Sequence, residues 1–161
     1  LPGLCEGHSI RLTNLSQRRF AGNGSKFNES HVYVMPNGLS ANYELSKIID
    51  EQYPTQSMLS AEYAFAAVPL DWAGLGPVAY VRNIEFFVNA DFAAYGSALP
   101  ELGKNLYGVG ATVAFSLGNF FWLPFDTRLG VRYTRYGGSL LDELESKVGL
   151  NNIRMVFSVD F

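Results

Sequence analysis

Tyr107-Gly-Val-Gly-Ala-Thr-Val-Ala-Phe-Ser-Leu117 alternates without a break. Tyr107, Val109, Ala111, Val113, Phe115 and Leu117 form one set; Gly108, Gly110, Thr112, Ala114 and Ser116 form the other. Successive side chains of a strand point to opposite faces, so this segment predicts a strand with one oily face and one face of small or hydroxylated residues.

The same period runs through the rest of the chain. Val78, Tyr80, Arg82, Ile84, Phe86, Val88, Ala90 and Phe92 oppose Ala79, Val81, Asn83, Glu85, Phe87, Asn89, Asp91 and Ala93. Phe125, Thr127, Leu129, Val131 and Tyr133 oppose Asp126, Arg128, Gly130, Arg132 and Thr134, and Ile153, Met155, Phe157, Val159 and Phe161 oppose Arg154, Val156, Ser158 and Asp160. Leu59, Ala61, Tyr63, Phe65 and Ala67 oppose Met58, Ser60, Glu62, Ala64 and Ala66, and a weaker strand covers about Gly7 to Gln17. Arg82 breaks its oily set near one strand end; a long side chain snorkels from there to headgroups, or a local bulge turns it away.

Each oily face fits two environments, the core of a soluble sandwich or the lipid around a barrel. Length separates them. The runs approach the roughly 9 to 11 residues that cross a bilayer at a tilt and exceed the five or six typical of globular strands. Gly108, Gly110 and Gly130 leave little side chain for a packed sandwich and suit a crowded barrel interior.

Composition agrees. The chain of 161 residues fits one domain and is 48% hydrophobic, 14% aromatic and 17% charged, against about 25% charged in a usual soluble domain. No stretch reaches the roughly 18 apolar residues of a membrane helix. A net charge of -3 with no basic stripe argues against nucleic acid. Cys5 is the single cysteine, which excludes an internal disulfide and a thiol metal cluster. No basic or apolar signal segment precedes it, so the chain reads as mature or as lacking an N-terminal portion.

The connections supply a separate test, because outer-membrane barrels alternate short periplasmic turns with long external loops. With Phe161 inside, Gly137 to Leu150 and Tyr95 to Lys104 are outer loops, and Gly118 to Pro124 and Pro69 to Pro77 are inner turns. A long external loop covers about 18–56. All four lysines, Lys26, Lys47, Lys104 and Lys147, fall in outer loops, and Trp72, Phe120, Phe121 and Trp122 fall in inner turns where an aromatic girdle belongs. Leu39 to Tyr53 and Leu140 to Val148 are helical candidates within the outer loops.

The polar faces carry the one constellation of note. Glu85, Asp91, Arg128, Arg132, Arg154 and Asp160 project into the lumen on this register, where charges are costly unless paired or wet. Counting from the inner strand ends predicts an ion pair between Arg128 and Asp160.

The end of the chain, Ile153-Arg-Met-Val-Phe-Ser-Val-Asp-Phe161, resembles the C-terminal assembly signal of bacterial outer-membrane β-barrels. The resemblance implies Met155, Phe157, Val159 and Phe161 as the positions read by the barrel-assembly machinery. From Ser57 onward the layout is also similar to the last strands of surface-antigen barrels of the barrel-assembly superfamily, particularly the propeller-plus-barrel proteins of Bacteroidota. The Arg-Gly-aromatic motif usual in an external loop of that superfamily does not occur here.

No catalytic set emerges. His8 and His31 lie in or beside weakly patterned segments, Gly22-Asn-Gly-Ser25 lacks the Lys-Ser/Thr of a phosphate loop, and Asp142 and Glu143 read as solvated loop charge. Cofactor and metal sites are not expected, nor is enzyme activity. The sequence thus predicts an all-β protein: an antiparallel up-and-down transmembrane β-barrel of about six long strands, the C-terminal portion of a barrel domain over 1–161, in the outer membrane of a Gram-negative cell. The function expected is that of a porin-like pore, membrane anchor or translocation and assembly scaffold, with outer-membrane lipid as partner. Six strands are fewer than the eight of the smallest single-chain barrels, so further N-terminal strands or other subunits are expected to complete the wall. The alternative is a soluble β-barrel or sandwich that binds an apolar ligand between its sheets.

Overall fold

The structure is a computed structural model that describes residues 7–18, 34–39, 49, 51–74, 76–97, 102–122, 125–143 and 150–160. The fold is all-β. Seven antiparallel strands form one sheet: β1 (Ser9–Arg18), β2 (Thr55–Ala64), β3 (Val68–Trp72), β4 (Tyr80–Gly96), β5 (Lys104–Gly118), β6 (Asp126–Gly137) and β7 (Asn151–Asp160). Their order is β1-β2-β4-β5-β6-β7, with β3 paired to β4. Each sequence-predicted strand is present, and the sheet is an up-and-down meander whose edges, β1 and β7, are not joined to each other.

The strand not expected from the sequence, β3, prolongs β2 along β4. Ala64 stands opposite Phe87 and Val68 opposite Ile84, so this strand advances four residues while β4 advances three. The extra residue marks a bulge, spanned by the Phe65 amide donating to the Phe86 carbonyl at 3.0 Å. The inner turn therefore begins only after Trp72.

A second bulge settles the place of Arg82. Val81 opposes Leu117 and Asn83 opposes Ser116, leaving Arg82 as the inserted residue. A bulge re-aims a side chain. Arg82 lies against Gly118 and reaches Asp126 at 2.6 Å, which puts it with the polar residues at the rim rather than in the oily set. Below it the parity reverses, so that Tyr80 faces Gly118 and Val81 faces Leu117.

At the opposite end of the sheet a small apolar cluster gathers residues of the strand ends and of the described parts of the connections. Met35, Leu39, Ile49, Ala93, Tyr95, Leu106, Tyr136, Leu140 and Leu141 are buried together. A short helix α1 (Ser139–Glu143) joins it, pinned by the Ser139 amide donating to Asn105 Oδ1 at 3.0 Å and the Asn105 amide donating to Ser139 Oγ at 3.1 Å. The rest of the candidate helix to Val148 lies outside the described residues. So does most of the candidate at Leu39 to Tyr53, of which Ile49, Glu51 and Gln52 are helical.

Candidate functional site

The strand registers stack side chains into rows, and the rows show that the sheet is inside out relative to a soluble one. On the outward face Ile84, Phe115, Leu129 and Phe157 lie side by side across β4 to β7, as do Phe86, Val113, Val131 and Met155, and Val88, Ala111, Tyr133 and Ile153. These apolar rows are open: Val109 is 56% exposed, Leu12 70% and Met155 75%. The inner-turn aromatics are open as well, with Trp72 at 50% and Trp122 at 74%. Asp71 near the end of β3 and Asn119, Phe121 and Trp122 between β5 and β6 all have positive φ, a conformation rare for bulky residues.

The covered face is the polar one. Asn89, Asp91, Thr112 and Thr134 are buried, together with Gly108, Gly110 and Ala114. Here the glycines are required by space. A Cβ at Gly130 would stand 2.5 Å from the Val113 carbonyl oxygen and 2.8 Å from the Ala114 Cα, and one at Gly110 would stand 2.7 Å from the Tyr133 carbonyl oxygen. The sequence-level reading of a crowded interior rested on these glycines.

The polar face is concave. Arg132 on β6 and Glu62 on β2 approach to 3.7 Å, although three inter-strand steps of about 4.8 Å would hold their backbones roughly 14 Å apart in a flat sheet. The segment 34–39 lies within this trough and touches four strands. The Asn37 amide donates to Asp91 Oδ2 of β4 at 3.0 Å, Pro36 packs toward Gly108 of β5, the Tyr136 hydroxyl of β6 donates to the Asn37 carbonyl at 2.8 Å, and Gly38 lies beside Arg154 of β7. Tyr95 adds a hydrogen bond to the Val34 carbonyl at 2.7 Å.

Asp91 is the centre of this strap. It is 2% exposed, and a buried carboxylate persists only with donors around it. Ser60 Oγ, the Asn37 backbone amide, Asn37 Nδ2 and Asn89 Nδ2 all donate to it. Neutral donors thus hold this carboxylate.

The other predicted lumen residues share the same face. Arg128 Nε meets Glu85 Oε2 at 2.8 Å, and Arg132 Nε donates to Thr112 Oγ1 at 2.8 Å in addition to its contact with Glu62. Arg154 lies directly opposite Arg132. The predicted Arg128 and Asp160 pair shares one face, since Arg128 opposes Ser158 and Asp126 opposes Asp160; the Asp160 side chain lies outside the described residues. Among the assembly-signal positions, Met155 and Phe157 are exposed on the outward face and Val159 is half-buried. Phe161 lies outside the described residues.

The sequence reading missed the roles of Asn37, Ser60, Glu62 and Asn89. The only local signal was Pro36-Asn37-Gly38, a turn tripeptide inside a stretch read as external loop. His8, just before β1, is hydrogen-bonded to the Tyr63 hydroxyl at 2.7 Å and lies beside Phe65. Among the described residues no group of His, Cys, Asp or Glu could hold a metal ion. No protein-family model, curated protein or solved structure matches the chain.

Proposed function

We propose that this chain is a section of the wall of a bacterial outer-membrane β-barrel whose interior is occupied at its outer end, serving as membrane anchor or translocation and assembly scaffold. One observation carries the proposal: over the middle of β4, β5 and β6 and along β7 the oily parity is the more exposed one and the polar parity the more covered one. Water disfavours a continuous apolar surface much larger than a few hundred Å² on a soluble monomer. Hydrocarbon favours it, and removes the reason for an apolar core.

The height of the oily face fits. From Tyr107 to Leu117 the chain rises ten residues, which at about 3.4 Å each and a tilt of about 40° spans roughly 26 Å, close to the apolar band of about 25 Å on outer-membrane barrels. The aromatic turns then mark the inner headgroup level. Within the trough, the strap at 34–39 favours the anchor or scaffold over an open pore. The exposed Met155 and Phe157 on the edge strand are available to the assembly machinery.

Fractionation of cells making the full-length protein tests this. The proposal expects it in the outer membrane, with heat-modifiable migration in detergent gels. Recovery in the soluble fraction would instead make the oily face a surface for an apolar ligand or partner.

A further inference from the structure

The two open edges of the sheet are chemically unlike, and the difference bears on what completes the wall. β7 is the last strand on its side, and its inward positions are Asn152, Arg154, Val156, Ser158 and, six residues from Arg154 at the strand end, Asp160. Arg154 stands directly across from Arg132 of β6, and like charges in that position destabilise an antiparallel pair. Arg132 is answered by Glu62 and Thr112. Among the described residues no carboxylate answers Arg154, whose guanidinium lies beside Gly38. A cation in a confined interior is costly without a counter-charge. On the β6 side its neighbour is another cation, and its other side is the open edge of the sheet.

The other edge of this sheet does not carry a counter-charge. The inward residues of β1 are Ser9, Arg11, Thr13, Leu15 and Gln17, since Arg11 opposes Glu62 and Thr13 opposes Ser60. Closing β7 onto β1, of the same chain or of a second copy, brings Arg11 and no acid to the shared face. We infer that the open edge of β7 is completed by a different strand, one that runs antiparallel to it and carries Asp or Glu at the inward position facing Arg154. This inference rests on the membrane-wall reading, because it is in hydrocarbon that an unpaired edge is prohibitive.

Photo-crosslinking in intact cells tests it. The full-length protein carries p-benzoylphenylalanine in place of Met155, and in a second variant of Phe157; both positions face outward and tolerate bulk. Mass spectrometry then identifies the cross-linked peptide. The expected peptide lies outside Ser9–Arg18 and has an acidic residue in register with Arg154. Arg154→Met, which removes the cation without creating a pair with Arg132, should reduce the heat-modifiable folded form, and glutamine at the identified acid should restore it. Cross-linking to Ser9–Arg18, to a strand without that acid, or to nothing from either position would overturn the inference. Fractionation of the same cells reports the membrane reading separately: a soluble protein sinks that reading, whereas a membrane-embedded one whose β7 cross-links to β1 sinks only the inference about the partner strand.

Discussion

Arg132 of β6 and Glu62 of β2 meet at 3.7 Å with β4 and β5 lying between their strands. Both residues lie on the polar face, so the contact draws the two strands together over that side of the sheet.

Removing one partner should expose the value of that contact. Arg132→Met leaves Glu62 facing the trough without its cation and Thr112 Oγ1 without its donor, for an expected loss of about 1 to 3 kcal/mol. A double-mutant cycle with Glu62→Gln, read by urea unfolding in lipid vesicles, should give a coupling of roughly 0.5 to 2 kcal/mol. Additive losses would mean that the two strands do not face each other.

The strap depends on Asp91. Asp91→Ala leaves the Asn37 amide and the Ser60 hydroxyl without their acceptor, and buried donors left unsatisfied cost about 1 to 3 kcal/mol each. The expected result is a segment 34–39 that proteases cut from the outer side in the variant and spare in the unmodified protein. Equal cleavage in both would remove Asp91 from this role.

Glycine spacing gives a local test. At Gly130 an added methyl meets backbone atoms of Val113 and Ala114, which cannot turn aside as a side chain does, so Gly130→Ala should destabilise by about 1 to 3 kcal/mol. Gly103 has nothing within 4 Å of an added Cβ, and Gly103→Ala should stay within about 0.5 kcal/mol. Thermal melting of the two variants side by side checks the contrast.

Much of this was legible in the sequence because a sheet with two unlike faces shows itself at period two. The alternation of Tyr107 to Leu117 needs no knowledge of its neighbours, and each strand inherits its faces from the same rule. What parity cannot carry is an inserted residue. The bulge at Arg82 reverses the faces of Tyr80 and Val81, and the one after Ala64 turns an apparent inner turn into strand; both depend on pairing with β4. Side-chain partners are harder still. Counting along β6 and β7 puts Arg128 and Asp160 on one face, but no count along neighbouring strands gives Glu85, which reaches Arg128 from two strands away. The strap was invisible for the same reason: Asn37 and Asp91 are 54 residues apart, and neither belongs to a repeating pattern that points to the other.

Depth should govern the cost of charge on the outward face. Val113 sits near the middle of its strand and Tyr107 near its outer end. Val113→Arg should cost about 2 to 4 kcal/mol and Tyr107→Arg about 0 to 1 kcal/mol, the gradient found across a bilayer. Unfolding titrations in vesicles check this; equal small costs would indicate a surface in water.

The most direct measurement asks what solvent touches the oily parity. In a Cys5→Ser background, single cysteines at Val109, Ala111, Thr112, Val113, Ala114 and Ser116 carry nitroxide labels, and the full-length protein is studied in outer-membrane vesicles. Dissolved oxygen reports hydrocarbon and a water-soluble nickel complex reports water. A lipid-facing oily parity predicts high oxygen and low nickel accessibility at Val109, Ala111 and Val113, with the opposite or immobilised labels at Thr112, Ala114 and Ser116. High nickel accessibility at Val109, Ala111 and Val113, or labels immobilised there as in a packed core, would contradict it.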